Sequence, residues 1–399
     1  DEVRDKSIVP NENNLLEIMQ EHLSGEEIQK IQKGYERYLS LVEENKYSGV
    51  KGVLKAYLDL TNEYDYNQQK NKFANYYASL TQQEKNELFS SYTNKGKFFY
   101  YFDGSKYNAF YDNTTVCLGF SDILEDYLEK KGYSVEAIVA EGHTLVDDNL
   151  VKAPYHKFLK VKIDDTWYYI NPGSDYDGNI NSFKFLLTSK EEIKKAFEEL
   201  GNIYTWDEEE YSESKSVFPR RELIKSFLDI RDDEIVKEYG LYINIDRAIK
   251  EYIQESEQYR EINDKRYLMI DDKFFDILKR TEVFSQFKNL YIDMYTSKIP
   301  YRMYENIFAS FQSADIMFSD RMRKEEIQKI QKAYLITRRV GKKTRVEYPF
   351  KMTGLSKEEE KILKTLLTSD LFKPLPEGKV KFIKDIQVYM TDSRIEEFE

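Results

Sequence analysis

One cysteine, three histidines and one strand-end asparagine are the groups in this 399-residue chain whose types and spacing could do covalent chemistry. Cys117 is the single cysteine. It stands where the turn formers Asn113, Thr114 and Thr115 give way to apolar residues at helical spacing: Phe120, Ile123, Leu124, Tyr127 and Leu128. Gly132 closes that helix as a C-terminal glycine does. A thiol in the first turn of a helix feels the positive end of the helix dipole. That favours thiolate and draws the pKa from about 8.5 toward neutrality. The same cysteine also fits a small apolar side chain packed in a core.

A thiolate nucleophile needs a base, and the base needs a group to orient it. His22 lies in an N-terminal helical stretch, and His143 follows Glu141 and Gly142 in a segment that reads as a loop. His156 opens a strand, with Leu159, Val161 and Ile163 on one face and His156 and Phe158 on the other. Asp164 and Asp165 read as a two-residue turn, which pairs Ile163 with Thr166 and Phe158 with Asn171. Asn171 is then a diagonal neighbour of His156, about 7–8 Å away at the backbone and within side-chain reach. Its amide oxygen can accept the second imidazole N–H and fix the tautomer. Taken singly, His156 is equally an exposed strand histidine, and Asn171 a turn residue before Pro172 and Gly173. Together and in this order they supply nucleophile, base and orienter.

These residues sit in motifs that resemble the transglutaminase-like superfamily. Thr115-Val116-Cys117-Leu118-Gly119-Phe120-Ser121 is similar to its cysteine motif. Lys130 to Tyr133 and then Val135 to Gly142 resemble the helix exit and the strand that follows. His156 to Ile163 and Trp167 to Gly173 resemble its histidine strand and its Trp-Tyr-x-x-Asp-Pro strand, and Glu63 to Tyr66 a short Tyr-Asp element upstream of the cysteine. The likeness covers roughly residues 45–190. It departs at the third position, usually aspartate and here Asn171. A Cys-His-Asn set operates in papain-like enzymes.

The resemblance implies an α+β, papain-like core, with a nucleophile helix on an antiparallel sheet. It implies acyl transfer through a thioester on Cys117, with His156 as base and then acid, and Asn171 as orienter. A protein or peptide amide is the substrate. A lysine amine as acceptor makes the enzyme a transglutaminase, the first reading. Water makes it a deamidase or a cysteine protease. From another class, a non-catalytic protein-binding module on the same fold is the rival reading. Tyr111, six residues before the cysteine, is the candidate oxyanion donor by analogy, beside the Cys117 backbone N–H; it also fits core packing. Some superfamily members use calcium. The acidic group Asp207 to Glu210 and Glu213 lacks a spaced ligand pattern, so no metal or other cofactor is expected.

The elements that must position these groups follow in order. Residues 1–13 are a polar lead-in, and 14–205 hold the catalytic domain with its N-terminal helices. Ile28, Ile31, Tyr35, Tyr38 and Leu39 make one apolar stripe; Val50, Val53, Leu54, Tyr57 and Leu58 make the next. Thr81 and Glu84 form a capping box. Tyr100 to Tyr111, aromatic and punctuated by glycine, reads as a hairpin leading to Cys117. Ser189 caps a helix that runs to Leu200. Residues 206–216, acidic and serine-rich, read as a linker to a separate α+β domain over 217–399, a candidate site for a protein partner. There Asp246 to Tyr259 reads as a helix; Gly240 to Ile245, Arg266 to Ile270, Leu290 to Tyr295, Thr344 to Phe350 and Val380 to Met390 read as strands. The run Glu-Glu-Ile-Gln-Lys-Ile-Gln-Lys occurs at 26–33 and again at 325–332, as two amphipathic helices.

The net charge of −12 and the lack of any basic block argue against nucleic acid as a partner. No apolar run approaches the roughly 18 residues of a membrane span. One cysteine permits no internal disulfide. A start at Asp1 without methionine fits either a mature exported protein or a trimmed chain; a secreted or cell-surface location is the expectation, with the cytoplasm as the alternative.

Overall fold

The computed structural model describes residues 15–102, 106–146, 149–174, 183–207, 214–234, 249–250, 252–253, 259–280, 288–295, 304, 307–308 and 314–340. The lead-in 1–13 lies outside them. The chain divides into two compact units, 1–255 and 256–399.

The first unit begins with helices α1 (Leu15–His22), α2 (Gly25–Glu44) and α3 (Gly49–Glu63). After the short strand β1 (Asp65–Tyr66) come α4 (Gln68–Ser79), α5 (Gln82–Ser91), α6 (Lys95–Tyr101) and α7 (Lys106–Asp112). Strand β2 (Thr114–Thr115) leads into α8 (Cys117–Lys130). Local chemistry sets many of the ends. Thr81 and Glu84 form the expected capping box on α5, and Ser24 with Glu27 forms another on α2. At the end of α8, Gly132 has φ 84° and Tyr133 N–H bonds to Leu128 O at 3.0 Å, the Schellman pattern. The α3 stripe is buried at Val53, Leu54, Tyr57 and Leu58. On α2 only the C-terminal half is buried, at Tyr38, Leu41 and Val42; Ile28 and Tyr35 are exposed.

The segment expected as a hairpin, Tyr100 to Tyr111, is instead the end of α6 and then α7. Its aromatic density serves packing rather than strand pairing. Phe98, Phe99 and Phe102 bury against Leu15, Ile18 and Met19 of α1.

The main sheet follows: β3 (Val135–Val146), β4 (Asn149–Ile163), β5 (Thr166–Ile170), β6 (Leu186–Thr188) and β7 (Ile203–Thr205), with α9 (Lys190–Glu199) between the last two. Its order is β6-β5-β4-β3-β7, antiparallel throughout. Ile163 pairs with Thr166 and Leu159 with Ile170, the expected register. Asp164 and Asp165 have φ of 48° and 64°, as a type I′ hairpin turn requires. His143, expected in a loop, lies on β3 opposite Lys152 and Ile203. One face of the sheet buries Ile138, Ala140, Phe158 and Tyr169 against Ile193, Ala196 and Phe197 of α9. On the other lies α8, where Ser121 Oγ donates to Lys157 O at 2.8 Å and Lys157 pairs with Asp122 and Glu125. The unit is therefore α+β, with a helix beginning at Cys117 laid on an antiparallel sheet.

The first unit runs on past the acidic stretch 206–216, expected as the linker. Ser214 Oγ donates to Trp167 O at 2.6 Å, and Phe218 N–H to Leu187 O at 3.0 Å. Helix α10 (Arg220–Glu234) then packs on the N-terminal helices, with Lys51 Nζ 2.8 Å from Asp229 and Tyr47 OH 3.2 Å from Asp233. These bonds hold the segment to the first unit, so the division falls at 255/256.

The second unit contains a sheet of order β11-β10-β9-β8. Strands β8 (Tyr259–Ile262) and β9 (Lys265–Asp271) are antiparallel; β9, β10 (Asn289–Asp293) and β11 (Asp315–Phe318) are parallel. The expected strands at Arg266 and Leu290 are β9 and β10. Helices Asp272–Leu278 and Lys324–Val340 accompany them. Both copies of the repeated octapeptide are helical, in α2 and in Lys324–Val340. Gly240 to Ile245, Thr344 to Phe350, Val380 to Met390 and most of Asp246 to Tyr259 lie outside the described residues; Tyr259 itself opens β8.

Candidate active site

The start of α8 is held from upstream. Strands β1 and β2 pair in parallel, Asp65 with Thr114 and Tyr66 with Thr115. Asp65 N–H bonds to Asn113 O and Asn67 N–H to Thr115 O, both at 2.9 Å. Beneath them lies Lys70, whose side chain is buried. Its ammonium donates to Asp112 Oδ1 and to Thr114 O, each at 2.8 Å, and Asp112 Oδ1 also accepts from Thr114 N–H at 3.0 Å. Asn113 has φ 59°, a left-handed conformation that asparagine tolerates better than most residues. Val116, extended, is the N-cap, and Cys117 is the first helical residue, half-buried.

From downstream, the turn Pro172–Ser174 presses on the same point. A Cβ on Gly173 would lie 2.9 Å from Cys117 Cα and 3.1 Å from its Cβ. Only a glycine allows this approach.

His156 is 8% exposed and Asn171 fully buried. His156 Nε2 lies 3.1 Å from Asn171 Oδ1. The Asn171 backbone is itself fixed: its N–H donates to Phe185 O at 2.8 Å, and its carbonyl accepts from Tyr57 OH at 3.3 Å. In the tautomer that satisfies the contact, Nε2 carries the proton and Nδ1 the lone pair. Aromatic rings enclose the imidazole: Tyr204 stacked at 4.8 Å, Phe197 edge-on at 5.2 Å and Phe158 at 5.8 Å. Burial pushes the His156 pKa down to about 4, against the hydrogen bond that Nε2–H donates to Asn171 Oδ1, which raises it. The imidazole is therefore neutral at pH 7, the form a base requires. Burial, with Cys117 adding to it, pushes the Tyr204 phenol up to about 12, so it too is neutral.

Cys117, His156, Gly173 and Tyr204 line one cavity of about 880 Å³. Tyr111 does not line it. The Tyr111 ring lies 4.4 Å from the Lys30 ammonium and edge-on to Tyr100 at 6.3 Å. His22 packs edge-on against Phe89. No local pattern in the sequence singles out Tyr204 or Gly173 as site residues. A three-residue strand such as β7 carries no readable periodicity, and Gly173 reads as an ordinary turn glycine. Among the described residues no group of three His, Cys, Asp or Glu side chains could hold a metal ion. No helix among them is long and apolar enough to cross a membrane.

No protein-family model matches the chain, and no curated protein matches it. Among solved structures the chain is similar to one described as "Crystal structure of a TGase", at 13% identity and a TM-score of 0.25. That match covers 59% of this chain and 54% of the other, so it spans about half the length of the solved structure. At this TM-score the likeness is a distant one and does not establish a shared fold.

Proposed function

We propose that the chain is a transglutaminase-like enzyme that transfers acyl groups from protein amides through a thioester on Cys117. The observation that carries this reading is the 3.1 Å contact between His156 Nε2 and Asn171 Oδ1, made by a histidine that lines the same cavity as Cys117. The contact commits one ring nitrogen to Asn171 and leaves Nδ1 as the base. Nδ1 removes the thiol proton, and the sulfur attacks the carbonyl carbon of a glutamine side-chain amide. The Cys117 backbone N–H, in the first turn of α8, is the donor for the oxyanion. As the C–N bond breaks, Nδ1–H protonates the departing ammonia and the thioester remains. An amine or water then attacks the thioester, giving a cross-link or a glutamate. Attack on a backbone amide by the same steps would be proteolysis.

Incubation with casein and a biotinylated primary amine, followed by mass spectrometry, tests the proposal. Amine incorporation or deamidation at glutamine, absent with Cys117→Ala, is the expected result. Backbone cleavage dependent on Cys117 would move the reaction to the protease alternative. No Cys117-dependent product would leave the binding-module reading.

A further inference from the structure

The outer edge of β3 runs along the cavity that Cys117 lines. Lys162 N–H bonds to Ser134 O at 3.0 Å, and residues 134 and 162 lie directly opposite in the β3–β4 register. That fixes the parity of the ladder. Directly opposed residues alternate between pairs that exchange hydrogen bonds and pairs that do not. Glu136, Ile138 and Ala140 therefore direct their peptide groups to β4. Val135, Ala137 and Val139 direct theirs away from it. The β4–β5 hairpin gives the same parity from the other side. Its closing pair, Ile163 and Thr166, is hydrogen-bonded across a two-residue turn, so over 156–163 the odd-numbered residues of β4 face β5 and the even-numbered ones serve β3.

Among the described residues, strand β7 pairs with the outer edge of β3 at Glu141, Gly142 and His143, starting at the irregularity between Ala140 and Gly142. Among the described residues no strand pairs with that edge over 135–140. Ala137 and Val139 both line the cavity with Cys117 and His156. Val139 is 54% exposed. Across the cavity, α4 presents Asn71, Ala74, Asn75 and Ala78 at helical spacing, a wall of small and uncharged side chains.

We propose that the acyl-donor substrate binds as an extended peptide, adding a strand to β3 through the outward peptide groups of Ala137 and Val139. This rests on the acyl-transfer reading of the same cavity and names the form its substrate takes. Donor and acceptor groups that recur every second residue, about 7 Å apart, match another extended main chain. A lone side-chain amide could use only one of them. An edge without a partner strand is otherwise an aggregation liability; among the described residues this one is short and bounded by β7. Specificity then comes from alternate substrate side chains, one set facing α4.

The test compares wild type with Val139→Pro on two probes. Proline removes the outward N–H of Val139 and none of the bonds to β4, as edge positions tolerate. Dimethylated casein needs the edge. Acetylation of Cys117 by p-nitrophenyl acetate does not. Casein turnover is expected to fall at least tenfold further than acetylation. Casein turnover within twofold would overturn the proposal. A second measurement covers the case in which proline disturbs the site and both reactions fall. Tryptic casein peptides added to Cys117→Ala protein should slow hydrogen exchange at the Ala137 and Val139 amides and leave Ile138 unchanged. Absence of that protection overturns the proposal. If wild type processes neither probe, the acyl-transfer reading has failed, and the exchange pattern alone decides whether the edge binds peptide.

Discussion

His156 Nε2 and Asn171 Oδ1 meet at 3.1 Å although the two residues are 15 apart in the chain. The two-residue turn at Asp164 and Asp165 brings them together. Any other turn length would shift the register of β5 and carry Asn171 to another place on the sheet.

The contact assigns unequal roles, and truncation should show it. Cys117→Ala and His156→Ala should abolish turnover. Asn171→Ala removes one buried hydrogen bond, worth about 1–3 kcal/mol, and should lower kcat/KM by roughly 5- to 150-fold. Steady-state kinetics on casein separates these outcomes. Equal loss from all three would mean that Asn171 does more than hold the ring.

Burial of His156 makes stability depend on pH with a definite sign. Its pKa is about 4 in the folded chain, against an ordinary value of 6.5. Between these values the unfolded chain binds a proton that the folded chain does not. Stability is therefore full above pH 6.5, falls as the pH drops toward 4 and takes no further loss from this group below that. The difference amounts to about 3 kcal/mol at most. Urea midpoints for wild type and His156→Phe at pH 7.5 and pH 4.5 isolate the effect. The variant should lose less stability on acidification than wild type, and equal losses would contradict a buried neutral imidazole.

Gly173→Ala should impair the site without removing any reacting group. The added methyl would stand 2.9 Å from Cys117 Cα and force the helix start or the Pro172–Ser174 turn to move. Overpacking of this kind costs about 1–3 kcal/mol, and a shift of the nucleophile lowers kcat further. Circular dichroism melts beside kcat distinguish the two losses.

Lys70→Met should destabilise the fold through the segment that leads to Cys117. It would leave Asp112 and Thr114 O without the buried ammonium that they share. Breaking a buried ion pair costs about 3–5 kcal/mol. The denaturant midpoint should drop accordingly, and a surface control such as Lys46→Met should not move it.

Much of this site was legible in the sequence because its positions follow from short-range rules. The cap at Thr81, the glycine at 132 and the turn at Asp164 each act within a few residues. Strand alternation then carries the turn's register to His156 and Asn171. The failures share a different cause. Tyr100 to Tyr111 has the aromatic content of strands, yet it ends α6 and forms α7, and Phe102 packs with Phe98 and Phe99 of α6 against α1. Tyr111 follows α7 away from the cavity and toward Lys30. Tyr204 reaches His156 from a strand of three residues, and Lys70 is buried by partners 42 and 44 residues away. Such contacts are set by tertiary packing, which no local pattern encodes. The acidic stretch at 206–216 has the composition of a linker, but its flanks at Ser214 and Phe218 hydrogen-bond back to the first unit.

The most direct test of Cys117 as an acyl carrier is to catch the thioester. The protein would be mixed with carbobenzoxy-glutaminyl-glycine, quenched in acid within the first turnover and examined by intact and peptide mass spectrometry. The account predicts an adduct equal to the donor less ammonia, on the peptide containing Cys117, cleared by neutral hydroxylamine and absent from His156→Ala. An unmodified Cys117 beside Cys117-independent product, or an adduct on another residue, would contradict it.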